Sequence, residues 1–210
     1  PKPTVVAVDD AYQGWVYEPG HLSRSLFWPL AERLAGNERV AAVKIDGATK
    51  ELAFFASRVG FLTFATPSAD AEAALESKLK CVTRGTVGSA SGPAMSAVTA
   101  ALQAPGLDDA FESHRSVLAG RYRALRAGLD DLGDERVTPL PFNAAYFALL
   151  QLDPRVDAEA LRQHLLAHES LGLIAFSDVN AIRIAYCSLA EAQLPELVTR
   201  LGRGVAAVSR

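Results

Sequence analysis

The chain has 210 residues, of which 50% are hydrophobic and 21% charged, as is typical of globular proteins. This length allows one large domain or two smaller ones. The net charge of −3 argues against a nucleic-acid partner, and no apolar run approaches the roughly 20 residues that a membrane-spanning helix needs. The two cysteines form no paired motif and no secretion signal opens the sequence, so we expect a cytoplasmic protein.

Strand and helix patterns alternate through the first half of the chain. Apolar runs typical of buried strands occupy residues 4–8, 39–46 and 60–66. Helical patterns occupy residues 23–35, 68–84 and 93–103. Ser68 precedes one helical pattern as a predicted N-cap, and Pro93 suits the first turn of the next helix. The alternation predicts an α/β fold with a mostly parallel sheet.

The pattern changes after residue 106. Residues 107–132 form one long, arginine-rich amphipathic pattern that predicts a single helix. The strands and helices predicted after it cover residues 137–152, 157–168, 171–176, 181–189 and 191–207. We therefore predict a first domain over residues 1–106 and a smaller α+β domain over residues 107–210.

Two acidic residues follow the first predicted strand. Asp9 and Asp10 stand at its carboxyl end, and Tyr12 comes shortly after them. Open α/β sheets bind ligands at the carboxyl ends of their strands, so these residues are candidates for a site. A turn or a helix cap is the alternative interpretation.

A lysine follows the second predicted strand. Lys50 comes after the small residues 47–49, and Arg58 precedes the third strand. A lysine that is partly desolvated near other cations loses its proton more easily and attacks carbonyl groups. The alternative is a solvated lysine in a surface turn.

Other candidate motifs are weaker. His164 and His168 have the spacing that lets two imidazoles share a metal on a helix, but no third ligand is evident, so we predict no metal site. The small-residue loop 85–94 matches neither a phosphate-binding loop nor a nucleophile elbow.

Three segments together resemble one known family. They are Asp9-x-Ala11-Tyr12 at a strand end, Lys50 with an arginine eight residues later at Arg58, and "NAIRIAYCSL", which contains Arg183. In order, spacing and local sequence they resemble the fold-type I aminotransferases of class I/II, which depend on pyridoxal 5′-phosphate (PLP).

The resemblance implies a role for each residue. Asp9 would pair with the pyridine nitrogen of PLP, and Tyr12 would donate to its phenolic oxygen. Lys50 would form the aldimine and move the substrate's α-proton. Arg58 would hold the phosphate, and Arg183 would bind the carboxylate of the amino-acid or 2-oxo-acid substrate. A structural ion pair is the alternative for Arg183.

The chain also departs from the family pattern. The family's segment before the first strand, with its glycine-rich phosphate-binding turn, has no counterpart here, and Gly47 replaces a serine. We therefore expect the C-terminal portion of an aminotransferase: a partial large PLP-binding domain over residues 1–106, and the small domain over residues 107–210. The isolated chain is expected to bind PLP poorly and to need a homodimer partner or the missing N-terminal portion for activity.

Two other functions fit the same residues. A PLP lyase or decarboxylase would use the same lysine, because substrate geometry selects the bond that breaks. An effector-binding domain of a transcriptional regulator could share the aminotransferase-like fold without catalysing the reaction.

Overall fold

A computed structural model describes residues 2–22, 24–34, 37 and 39–209. Two compact units account for these residues. The first comprises Pro1–Trp15 and Gly20–Phe111, and the second comprises Val16–Pro19 and Glu112–Arg210. The units change five residues beyond the boundary expected after residue 106, and their assignment as domains remains a prediction.

The first unit contains a three-stranded sheet in the order β1-β2-β3. Its elements are β1 Thr4–Asp9, α1 Phe27–Arg33, β2 Val40–Gly47, α2 Ala48–Glu51, β3 Gly60–Ala65, α3 Ala69–Thr86 and α4 Gly92–Gln103. β1 runs parallel to β2, and β3 runs antiparallel to it. Where a mostly parallel sheet was expected, these strands therefore form a mixed one. The ends of the helix predicted over residues 23–35 lie outside the described residues.

Side-chain caps define the starts of two helices in this unit. Ser68 Oγ accepts a hydrogen bond from Ala71 N at 3.2 Å, and Ser91 Oγ accepts one from Ala94 N at 3.4 Å. Each bond satisfies a backbone donor that the first turn of a helix leaves open. The predicted N-cap at Ser68 is thus confirmed.

A small apolar cluster supports the connection between β2 and β3. Its buried members are Ala48, Val59 and Val98. Ala48 belongs to α2, whereas Val98 belongs to α4, so the cluster packs the start of the short helix against a longer one. The residues of α2 are therefore held by packing and do not form a free surface turn.

The second unit contains a four-stranded sheet in the order β4-β5-β7-β6, with antiparallel neighbours throughout. Most of α5 Leu107–Leu132 belongs to this unit, together with β4 Val137–Pro139, β5 Ala148–Leu152, α6 Ala158–His168, β6 Ile174–Phe176, β7 Ala181–Ile184 and α7 Leu194–Val208. Buried side chains of α5, α6 and α7 join the sheet in one core. The α/β class and the α+β character of the C-terminal part are confirmed.

The segment Val16–Pro19 is bonded to the second unit. Tyr17 Oη donates a hydrogen bond to the carbonyl of Ala145 at 2.6 Å, and Arg115 donates to the carbonyl of Val16 at 2.9 Å. Burial raises the pKa of Tyr17 well above its usual value, so its hydroxyl stays protonated and able to donate.

The described residues contain neither a candidate membrane span nor a candidate metal cluster. None of their helices combines the length and apolar character that crossing a membrane requires. Within the same part of the chain, no group of three or more His, Cys, Asp and Glu side chains is placed to hold a metal ion.

Candidate active site

Lys50 and Arg58 both lie in the connection between β2 and β3. The last pair of the antiparallel ladder is Gly47 opposite Gly60, and Ala48 N donates to the carbonyl of Val59 at 3.1 Å. The two ends of the connection are thus held close together. Lys50 lies in the short helix α2, where the sequence predicted a turn.

Lys50 and Tyr12 lie close together in the folded chain. The ammonium nitrogen lies 5.7 Å from the centroid of the Tyr12 ring, and both residues are half-buried. This is within the range in which a cation is attracted to an aromatic face. The structure therefore brings together two of the predicted site residues that are distant in the sequence.

Asp9 is the last residue of β1, and its carboxylate shapes the turn that follows. Its Oδ1 accepts a hydrogen bond from Ala11 N at 3.2 Å. Further along, Trp15 is fully buried and packs against Phe111 in a tilted arrangement, with ring centroids 4.7 Å apart. The turn that carries Tyr12 is therefore fixed at both ends, and the exposed Asp9 side chain is accessible to a ligand.

Arg58 is exposed and has a left-handed backbone, with φ of +53°. It ends a short 3-10 helix, Phe55–Ser57, and donates a long hydrogen bond of 3.4 Å to the carbonyl of Phe55. This bond is long and its acceptor is neutral, so most of the guanidinium's N–H donors stay available to bind an anion.

Arg183 belongs to the second unit. It lies in β7 between Ile182 and Ile184, both fully buried. Its guanidinium carbon lies 4.4 Å from the Phe147 ring centroid and 5.9 Å from that of Phe176. Its Nε is buried, and no atom of the described residues accepts a hydrogen bond from it. Such a donor lacks the partner that a structural ion pair would supply.

A buried charged cluster near Lys50 was missed by the sequence analysis. Lys44 is only 7% exposed and contacts the carboxylates of Asp46 and Asp10. The detectable signal was a lysine and an aspartate two residues apart within an apolar strand, because such residues share a face of the sheet. Burial raises the pKa of the neighbouring Glu51, and the Lys44 charge partly offsets this.

A family model described as "Aminotransferase class I and II" matches residues 2–201. Among solved structures, the α-aminoadipate aminotransferase LysN of Thermus thermophilus, complexed with N-(5′-phosphopyridoxyl)-L-leucine, is 25% identical with a TM-score of 0.79. An aminotransferase from Mycobacterium tuberculosis is 20% identical with a TM-score of 0.74. Alanine aminotransferase from Pyrococcus furiosus is 16% identical with a TM-score of 0.74.

These alignments include nearly all of this chain but only part of the other. They cover 97%, 97% and 96% of this chain, against 50%, 49% and 49% of the respective structures. The chain thus spans about half the length of the solved structures it matches. A search of curated proteins found no match.

Proposed function

Because the chain belongs to the class I and II aminotransferase family, we propose that it carries the catalytic lysine of a PLP-dependent aminotransferase. The reaction would transfer an amino group between an amino acid and a 2-oxo acid. The observation that carries this proposal is the half-buried ammonium group of Lys50 over the ring of Tyr12, at the end of β2.

Four of the predicted site residues in the first unit have the chemistry that PLP requires. An amine, a phenol, a carboxylate and a guanidinium are supplied by Lys50, Tyr12, Asp9 and Arg58. These groups suit the cofactor's aldehyde, phenolic oxygen, pyridine nitrogen and phosphate. Arg58 and Asp9 are exposed, so they can reach a bound molecule without breaking a buried ion pair.

Bound PLP would supply an electron sink for the substrate's α-carbon. Lys50 Nζ would hold the cofactor and would move the substrate's α-proton. Asp9 would keep a proton on the ring nitrogen through its negative charge. Tyr12 would donate its hydroxyl and orient the ring.

Arg183 would bind the substrate carboxylate. A planar guanidinium can form two parallel hydrogen bonds to a carboxylate, which a lysine cannot match. Its guanidinium lies over the ring of Phe147, and its buried Nε is a donor with no acceptor among the described residues. A substrate carboxylate would satisfy such a donor.

The active protein would work as a homodimer or with the part of the family fold that this chain does not match. The first unit offers apolar surface for such contacts: Val5 is 68% exposed and Leu62 is 50% exposed. Within the described chain, no residue of α3 is buried. We place this assembly in the cytoplasm.

Selective trapping tests the proposal. The chain would be saturated with millimolar PLP, reduced with borohydride, digested and mapped by mass spectrometry. The chain has five lysines, so the other four serve as internal references. We expect the label predominantly at Lys50 in the natural chain and in the Lys80→Ala control, and no such label in Lys50→Ala. Labelling of Lys50 no greater than that of exposed Lys80 would contradict the proposal.

A further inference from the structure

Lys44 is a buried cation that has no place in the proposed chemistry. It lies in the middle of β2 with 7% of its surface exposed. A buried ammonium group is costly unless carboxylates or other acceptors surround it. Its partners therefore indicate why the chain keeps a lysine within an otherwise apolar strand.

Two carboxylates from different segments of the chain share this ammonium group. Asp46 follows Lys44 by two residues on β2, hence on the same face of the sheet, and contacts Nζ directly. Asp10 approaches Nζ from beyond the end of β1, with Oδ2 at 3.7 Å. Asp10 N also donates to the carbonyl of Ile45 at 2.9 Å, which ties its backbone to β2.

A serine extends the network to a third element. Ser25 is buried and donates its hydroxyl to the Asp10 carboxylate. The same Oγ accepts a hydrogen bond from Phe27 N at 3.0 Å, at the start of α1. Asp10 is thus held by Lys44 on one side and by the segment before α1 on the other.

The network lies directly beside two turns: the turn after β1, which carries Tyr12, and the single helical turn α2 after β2, which carries Lys50. Asp10 follows Asp9 and comes two residues before Tyr12, whereas Asp46 immediately precedes the Gly47 that leads into the helix of Lys50. Fixing Asp10 and Asp46 to one ammonium group therefore fixes the starting points of both turns. The negative charges would otherwise repel each other in a poorly solvated position.

We propose that Lys44 is a positioning residue that clamps the turn of Asp9 and Tyr12 to the turn of Lys50. It acts through Asp10 and Asp46 and does not itself contact cofactor or substrate. The functional meaning of the clamp rests on the proposed function, but the clamp itself can be measured without a cofactor.

Amide hydrogen exchange of the chain measured by NMR tests the clamp. The informative amides are those of Asp10, Gln13, Ala48 and Leu52, which all donate backbone hydrogen bonds within the two turns or at their ends. In Lys44→Met we expect them to exchange at least about tenfold faster relative to amides of α4, because two carboxylates lose their partner.

Val43→Ala is the matched control. Val43 is 8% exposed on the same strand, and its side chain points to the opposite face of the sheet. The truncation weakens packing without touching the carboxylates, so the ratio of turn to α4 exchange should stay within about twofold of the natural chain. Equal ratios in Lys44→Met and Val43→Ala would overturn the proposal.

A double variant separates charge pairing from packing and covers the case in which Lys44→Met does not fold. Lys44→Met/Asp46→Asn lacks the ammonium group and also one of its two carboxylate partners. Only the Asp10 carboxylate is then left without its cation. The turn exchange of this double variant should lie closer to the natural chain than that of Lys44→Met, by about threefold or more. A double variant no better folded or protected than Lys44→Met would contradict the clamp.

PLP trapping at Lys50 in the same variants separates the two proposals. Specific labelling in the natural chain that falls at least about fivefold in Lys44→Met, but not in Val43→Ala, supports both. Unselective labelling of the natural chain, together with the expected exchange pattern, removes the proposed function and leaves the clamp. Selective labelling that both variants retain equally, together with equal exchange ratios in the two variants, removes the clamp and leaves the function.

Discussion

The ammonium group of Lys50 lies 5.7 Å from the centre of the Tyr12 ring. Tyr12 can therefore affect PLP trapping at Lys50 in two ways, through the face of its ring and through its hydroxyl group. Tyr12→Phe removes the hydroxyl only and should lower PLP trapping at Lys50 by about two- to tenfold, the effect of one hydrogen bond. Tyr12→Leu also removes the aromatic face and should lower trapping further. The yield at Lys80 in the same samples is the reference, and unchanged trapping in both variants would exclude a role for Tyr12.

Arg183 should contribute little to stability despite its position between two buried isoleucines. Arg183→Met loses the contact with Phe147 but also removes a buried donor that no acceptor among the described residues satisfies. These effects oppose each other, so the free energy of unfolding should change by less than about 1 kcal/mol. Urea titration would measure this, with the exposed Arg155→Met as control. A loss of about 3 kcal/mol or more would indicate a structural ion pair instead.

Gly14 and Gly20 form a matched pair for separating backbone strain from crowding. Both have a left-handed backbone, with φ of +85° and +86°. A Cβ at Gly14 would lie 2.8 Å from Cζ of Phe111, whereas a Cβ at Gly20 would have no atom of the described residues within 4 Å. Gly20→Ala should cost about 1 kcal/mol of stability from strain alone. Gly14→Ala should cost about 1–2 kcal/mol more, because the new methyl group would also clash with the Phe111 ring. Denaturant unfolding followed by tryptophan fluorescence would measure the free energy of unfolding of both variants. Equal losses of stability in the two variants would contradict a clash at Gly14.

Asp134 should stabilise the second unit only above acidic pH. Hydrogen bonds from Arg136 hold the pKa of its carboxyl below the usual value, and Arg136 also donates to Ser209 Oγ at 2.8 Å. A group whose pKa is lower in the folded state contributes stability above its unfolded pKa and loses it as the pH falls. Asp134→Asn should therefore lose roughly 1 kcal/mol at about pH 7 and almost nothing at about pH 2. Asp178→Asn, at an exposed position, controls for the removed charge. A loss independent of pH would contradict the ionic explanation.

Much of the architecture follows from local sequence signals. The helix predicted over residues 107–132 has those bounds in the structure, and Ser68 caps α3 as predicted. Such features depend on periodicity and on side chains that bond to nearby backbone, so neighbouring residues suffice to predict them. The resemblance in order and spacing around Lys50 and Arg183 likewise required only the sequence, and the family match agrees with it.

Other features depend on which distant residues become neighbours. The sequence by itself determined most of the elements, the family and the candidate residues, but it did not show that Lys44 is buried between Asp10 and Asp46. Nor did it predict that Val16–Pro19 belongs with the second unit. Only the tertiary structure decided these points, because the burial of a charge and the partner that neutralises it are set by the pairing of separate segments.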